Sequence, residues 1–240
     1  MKLKLMTFNI CHCEDYEHFL KTKESIINLE KFGSYIKSMD RDIIGLNEVR
    51  DFYEPDPEYL AEAKILGELT GRNHFFAKAI NMPGPYGNGF LCKYPIKACE
   101  VIPIPDPEVK DEDVYYETRC LLKATVDIGK DITVFVSHFG LAKKERINAV
   151  KTIVEEVKKV DTPVILMGDF NEQPNGEILA PLYEIFNEAF SKDNTFTFPS
   201  NDPCVKIDYI FLSKDIKVLS SEVKSDVVSD HCAVLCDIEI

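Results

Sequence analysis

Six apolar runs in this sequence have polar residues of the kind that do chemistry at one end. Asn9 follows LKLMTF, Glu48 follows DIIGLN, His138 follows ITVFVS, and Asp169 with Asn171 follows VILMG; Asp208 opens DYIFLS, and Asp230-His231 precedes CAVLCDIEI. Carboxylates and carboxamides are hard oxygen ligands suited to Mg²⁺ or Mn²⁺, whereas two histidines without a cysteine partner make a poor structural zinc site. Acids and imidazoles brought together can hold such a cation, orient a water and stabilise phosphoryl charge. Any one of these residues alone is most simply a turn former or a helix cap. The chemistry requires that they meet, at one edge of the fold. Asp169 and Asn171 are two residues apart, a spacing that in an extended segment aims both side chains the same way.

The elements that would position them can be read from the apolar pattern. KLKLMTFNI, DIIGLNEV, NGFLCKY, CLLKATVDI, ITVFVSHF, VILMGDF, IDYIFLS and CAVLCDIEI read as strands, rich in β-branched and aromatic residues. Helices are expected over Ile26–Met39, Glu58–Leu69 and Lys143–Val160, the last with Ile147, Val150, Ile153, Val154 and Val157 as one apolar stripe. Strands on both sides of each helix, with hairpin-like neighbours, predict two packed sheets with helices outside, a four-layer α/β/β/α sandwich. No linker or repeat divides the chain, so one domain over residues 1–240 is expected. The acidic, proline-rich segment Ile102–Arg119 reads as a solvated loop that could form the rim of a site.

Composition narrows the partners. With 28 basic and 41 acidic residues in 240, the net charge is −13, which opposes binding to a long bare duplex or an anionic membrane. The N-terminus alternates like a strand and lacks the apolar centre of a signal peptide, and no run is long enough to span a membrane. The eight cysteines show no zinc-knuckle spacing, and Cys92, Cys120, Cys232 and Cys236 lie in apolar contexts. Reduced thiols, a cytoplasmic location and a monomer are the resulting expectations.

In this order, TFNI, DIIGLNEV, YGNGFLCKYPI, SHFGL, LMGDFNEQP, IDYIFLS and SDH resemble the motif series of the endonuclease/exonuclease/phosphatase superfamily, which has a DNase I-like fold. The resemblance spans the chain. It implies a phosphoesterase dependent on Mg²⁺ or Mn²⁺, with Glu48 as principal metal ligand, Asn9 beside it and Asp230 completing the metal side. It further implies that Asp169 deprotonates the attacking water and Asn171 fixes its direction. His231, oriented by Asp208, would bind the scissile phosphate, and His138 would bond a phosphate oxygen from the opposite side. Two positions depart from the family pattern: Asn47 stands where glutamine is common, and Cys11 where some abasic-site nucleases carry aspartate.

Other residues have two readings each. Arg119 would pair either with a substrate phosphate or with an acid just before it, and Asn88 would either line the pocket or serve a turn. His12 either follows the pattern NI-x-H seen in some bacterial members of the family or is a surface loop histidine, and His18 and His74 read as structural or exposed. A small-molecule or lipid-headgroup phosphate ester is the expected substrate, with specificity set by Ile102–Arg119 and Phe190–Lys206. The alternatives are a nuclease, with Tyr115, Tyr116 and Phe198 as stacking surfaces, or a catalytically silent binding module on the same fold.

Overall fold

The computed structural model describes residues 1–111, 113–174, 176–190 and 195–240. The chain begins with β1 (Lys2–Asn9), a tight turn at Cys11–Cys13, α1 (Tyr16–Thr22), α2 (Leu29–Ser38) and β2 (Ile43–Arg50). Then come α3 (Glu62–Thr70), β3 (Asn73–Asn81), β4 (Pro85–Cys92), β5 (Ile96–Pro103), β6 (Cys120–Asp127) and β7 (Asp131–His138). The remainder is α4 (Lys143–Val157), β8 (Val164–Asp169), α5 (Ala180–Ile185), β9 (Phe186–Glu188), β10 (Asp208–Ser213), β11 (Lys217–Lys224) and β12 (Ala233–Glu239).

The strands form two six-stranded sheets, ordered β11-β12-β1-β2-β4-β3 and β5-β6-β7-β8-β10-β9. Leu5, Ile43 and Phe90 of the first sheet share one buried cluster with Leu122, Val134 and Ile165 of the second, so the two sheets pack face to face. The outer face of the first sheet buries Met6, Ile44 and Leu46 against Phe32 and Ile36 of α2 and Leu66 of α3. That of the second buries Phe135, Leu166 and Phe211 against Val150 and Ile153 of α4 and Leu182 of α5. The result is the expected α/β/β/α sandwich. Central strands are apolar on both faces because both are covered, which is why they read as continuous runs.

Element ends differ from the sequence reading for local reasons. Helix α2 starts at Leu29 because the Asn28 side chain accepts from Lys31 N at 3.1 Å and caps it. Helix α3 starts at Glu62 and ends at Gly71, whose φ of 66° is left-handed. Helix α4 ends at Val157, and its contact face is Ala149, Val150, Ile153, Val154 and Val157, without Ile147. Helix α1 was not anticipated; Asp15 caps it by accepting from His18 N at 3.1 Å.

Each sheet contains one parallel pair, β1 with β2 and β7 with β8, and every other pairing is antiparallel. Parallel strands joined by a crossover helix finish at the same edge. Asn9 ends β1, Glu48 is near the end of β2, His138 ends β7 and Asp169 ends β8. The antiparallel strands β10 and β12 begin at that edge, which brings Asp208 and the Asp230-His231 pair there from the other chain direction.

Candidate active site

Asp169 is the centre of the arrangement. Its Oδ2 accepts from Asn9 Nδ2 at 3.1 Å and lies 3.5 Å from His138 Nε2 and 3.6 Å from His231 Nε2. Its Oδ1 accepts from Asn171 N at 2.9 Å. The carboxylate therefore sits between two imidazoles, at the junction of the two sheets. Burial raises its pKa, the Asp208 carboxylate adds to the rise, and a charged His231 works against it.

His231 donates from Nδ1 to Asp208 Oδ2 at 2.9 Å. Burial disfavours the imidazolium, but Asp208 and then Asp169 outweigh it, and the His231 pKa is raised to about 10. His138 is in the opposite condition. Burial, then the charges of Arg119 and His231, push its pKa well below the usual value, so it is neutral. Arg119 can only donate, so His138 Nδ1, 3.1 Å from Arg119 Nη1, is the acceptor and the ring proton sits on Nε2, facing Asp169.

Asn171 reaches the site differently from the extended geometry expected. Its φ is 47°, left-handed, so a turn and not strand alternation aims it. Its Nδ2 donates to Phe139 O at 3.0 Å and lies 3.1 Å from His138 Nε2. Phe139 and Phe170 stack beneath, ring centroids 4.3 Å apart, and fix the turn from the core side.

Glu48 also has a left-handed φ, 57°, at the irregularity that breaks the β2–β4 register between Leu46 and Val49. Its Oε1 accepts from Asn9 Nδ2 at 2.9 Å. Asn9 Oδ1 in turn accepts from Cys11 N at 3.1 Å, which settles the orientation of the amide. Asn9 therefore turns its nitrogen to the two carboxylates and clamps them. Asp230 shares the cavity, its Oδ1 accepting from Ser229 Oγ at 3.0 Å. Among the described residues neither Glu48 nor Asp230 forms an ion pair, and two carboxylates in one cavity are a donor set that fits a hard divalent ion.

Glu48, His138, Asp169, Asn171, Asp230 and His231 line a cavity of about 520 Å³, with Asn9 and Asp208 behind that lining. Arg119 lines it, yet its Nη1 is 2.6 Å from Glu117 Oε1, so the acid pairing is present. Asn88 does not line the cavity, contrary to the expectation of substrate contact: only 2% exposed, it accepts from Asn47 Nδ2 at 2.8 Å and donates to Cys120 O at 3.0 Å. Tyr115 and Phe198 are on the wall, whereas the Tyr116 hydroxyl is engaged with Asp111 away from it. His12 is also on the wall and not a surface histidine; burial first, then Arg50, lower its pKa to about 4. His18 and His74 lie elsewhere. All eight cysteines are free thiols. Of the two proposed specificity segments, Glu112 and residues 191–194 fall outside the described residues.

Two contributors, Tyr86 and Arg50, are absent from the sequence reading, and Asn47 enters it only as a departure from the family's usual glutamine. Asn47 is fully buried and bridges the sheets, donating to Ser137 O at 3.1 Å and accepting from Asp169 N at 2.9 Å. Tyr86 faces Glu48; burial and that carboxylate keep its phenol protonated. Arg50 stacks its guanidinium on Tyr59, 4.6 Å from the ring centroid, and forms no ion pair among the described residues. Asn47 and Arg50 flank the Glu48 motif, a signal that was available; Tyr86 carries none beyond its place near YGNGFL.

A match over residues 6–231 assigns the chain to the Endonuclease/Exonuclease/phosphatase family, whose members are hydrolases acting on phosphoester bonds, and the chain belongs to it. Among solved structures it is similar to the endonuclease/exonuclease/phosphatase from Bacteroides vulgatus, with 19% identity, a TM-score of 0.79, and coverage of 100% of this chain and 99% of that one. It is similar also to a mannosyl-6-phosphatase from Bacteroides thetaiotaomicron VPI-5482, with 18% identity, a TM-score of 0.76, and coverage of 99% and 100%. A third is truncated Caenorhabditis elegans TDP2, with 15% identity, a TM-score of 0.74, and coverage of 100% and 98%. At these identities the shared property is the fold. No curated protein matches the sequence significantly. Among the described residues no helix is long and apolar enough to cross a membrane.

Proposed function

We propose that this protein is a divalent-metal-dependent phosphoesterase that hydrolyses a small-molecule or headgroup phosphate ester, a diester or monoester, by direct attack of water. The observation that carries the reading is the position of Asp169, a buried carboxylate flanked by a neutral and a charged imidazole. Because His231 holds its proton more tightly than Asp169 does, the proton rests on the imidazole and Asp169 is free to accept one from water.

Glu48 and Asp230 would hold the cation, Mg²⁺ or Mn²⁺, with Asn9 clamping Glu48. When bound, it supplies Lewis-acid stabilisation of phosphoryl charge. Asn171 directs the water that Asp169 deprotonates. Charged His231, backed by Asp208, binds a phosphate oxygen and stabilises the negative charge that grows as the bond breaks. His138 donates from Nε2 on the opposite side, its tautomer imposed by Arg119. Arg50, which forms no ion pair among the described residues, offers its guanidinium to an anionic part of the substrate.

A cavity of about 520 Å³ suits a small ester or headgroup, and the mannosyl-6-phosphatase neighbour is consistent with a substrate of that size. The test is a panel of sugar phosphates, nucleotides, glycerophosphodiesters and oligonucleotides, assayed with Mg²⁺, with Mn²⁺ and with EDTA. Turnover of a small ester that EDTA abolishes and added metal restores is the expected outcome. Inactivity on the whole panel, or full activity in EDTA, would sink the proposal, and turnover confined to oligonucleotides would favour a nuclease.

A further inference from the structure

Three consecutive non-glycine residues adopt left-handed backbone: Cys11 at φ 41°, His12 at 42° and Cys13 at 60°. Each such residue costs about 1–2 kcal/mol and persists only where its surroundings hold it. This turn is held from several sides. Cys11 N donates to Asn9 Oδ1 at 3.1 Å, Cys13 N to Ile10 O at 2.7 Å, and Asn28 N to Cys13 O at 2.8 Å, while the Cys13 side chain is fully buried in the core.

The turn brings Cys11 and His12 beside Glu48. One potential ligand atom from each of Cys11, His12 and Glu48 lies within 4.8 Å of the others. His12 lines the cavity, and its Nδ1 is sealed from solvent with no hydrogen-bond partner among the described residues. A shielded imidazole nitrogen without a partner is an unpaid desolvation cost, and a cation shared with the neighbouring carboxylate would remove it.

We propose that His12 is a nitrogen ligand to the cation held by Glu48, and that this makes the site select Mn²⁺ over Mg²⁺. The proposal rests on the reading of Glu48 as a metal ligand. Mn²⁺ shares the oxygen ligands of Mg²⁺ but stands above it in affinity for a nitrogen donor, whereas Mg²⁺ favours an octahedron of oxygens and keeps several of its waters. A histidine in the coordination sphere therefore strengthens Mn²⁺ binding more than Mg²⁺ binding. His138 is a weaker source of nitrogen, because Arg119 occupies its Nδ1 and its Nε2 carries the proton that faces Asp169.

The experiment is Mn²⁺ titration of the whole protein, read by electron paramagnetic resonance, with pulsed measurement of nitrogen coupling to the bound ion and Mg²⁺ affinity obtained by competition. The informative variant is His12→Asn, since asparagine tolerates left-handed backbone better than other side chains yet lacks an imidazole. In the wild type, bound Mn²⁺ is expected to show imidazole nitrogen coupling and to be held more tightly than Mg²⁺. In His12→Asn the coupling disappears and the Mn²⁺ dissociation constant rises on the order of tenfold or more, with a smaller change for Mg²⁺.

Bound Mn²⁺ without nitrogen coupling in the wild type overturns the assignment, and that measurement needs no variant to fold. Coupling and affinity that survive in a His12→Asn protein with a normal thermal melt overturn it too. In either case the reading of Glu48 stands if Glu48→Gln loses Mn²⁺. If the wild type binds neither ion, both inferences fall.

Discussion

Asp169 and His231 divide one proton between them, and their environments decide which keeps it. Asp169 is buried and bonded to neutral amides, while His231 is bonded to a second carboxylate, Asp208. If Asp169 acts as the base, Asp169→Asn should lower kcat by a factor on the order of 10²–10⁴ with little change in KM. Asparagine caps a turn equally well, so a folded variant with wild-type turnover would reduce Asp169 to a turn former. Asp208 gives a pH signature. In the proposed mechanism His231 acts in its charged form, so activity is expected to fall as pH rises through its pKa of about 10. Asp208→Asn removes the leading charge that raises that pKa, so the alkaline limb of the rate profile should move to lower pH. An unmoved limb would show that Asp208 does not tune His231.

At the scale of the elements, the two sheets meet through amides at the catalytic edge. Asn47, on β2, accepts from Asp169 N on β8 and donates to Ser137 O on β7 and to Asn88 Oδ1 on β4. Asn47→Ala leaves these groups buried and unpaired and should destabilise the protein by about 1–3 kcal/mol. It should also lower kcat, because the strand end that carries Asp169 loses its anchor. Thermal melts and turnover measured together test this; loss of neither would mean that packing alone holds the sheets in register. Legibility in the sequence followed position within each sheet. The eight strand segments read from apolar patterning are the interior strands, and the four that went unread, β11, β3, β5 and β9, are the sheet edges. In β5 and β11 every residue is exposed or half-buried, with no strict alternation and no buried apolar run. An edge strand is recognised by its neighbour's hydrogen bonds, which leave no mark on its own composition.

For the whole molecule, the charge of −13 sets the long-range field, while the cavity sets Arg50, Arg119 and a charged His231 beside the carboxylates of Glu48, Glu117, Asp169 and Asp230. That combination admits a small anionic ester at short range and repels a long polyanion. Duplex DNA should bind weakly at physiological salt, with no steep dependence of affinity on salt concentration. A tight complex whose affinity falls by orders of magnitude between 50 and 200 mM salt would show several phosphate contacts and reverse this expectation.

The residue types at the strand ends, the interior strands and the layered class are legible in the amino-acid order, because buried strands must be apolar and polar groups must leave them at their tips. Asn9, Glu48, His138, Asp169, Asp208, Asp230 and His231 are spread over more than two hundred positions and converge because two parallel pairs end, and β10 and β12 begin, at the same edge. What each side chain touches emerges only from the folded chain. Asn171 arrives through a left-handed turn, Asn88 is spent on Asn47 and Cys120, and His12 is drawn in from an apparent surface loop to stand beside Glu48. The physical reason is that periodicity records which face of an element is buried, whereas side-chain partners are set by backbone turns and by atoms from distant parts of the chain.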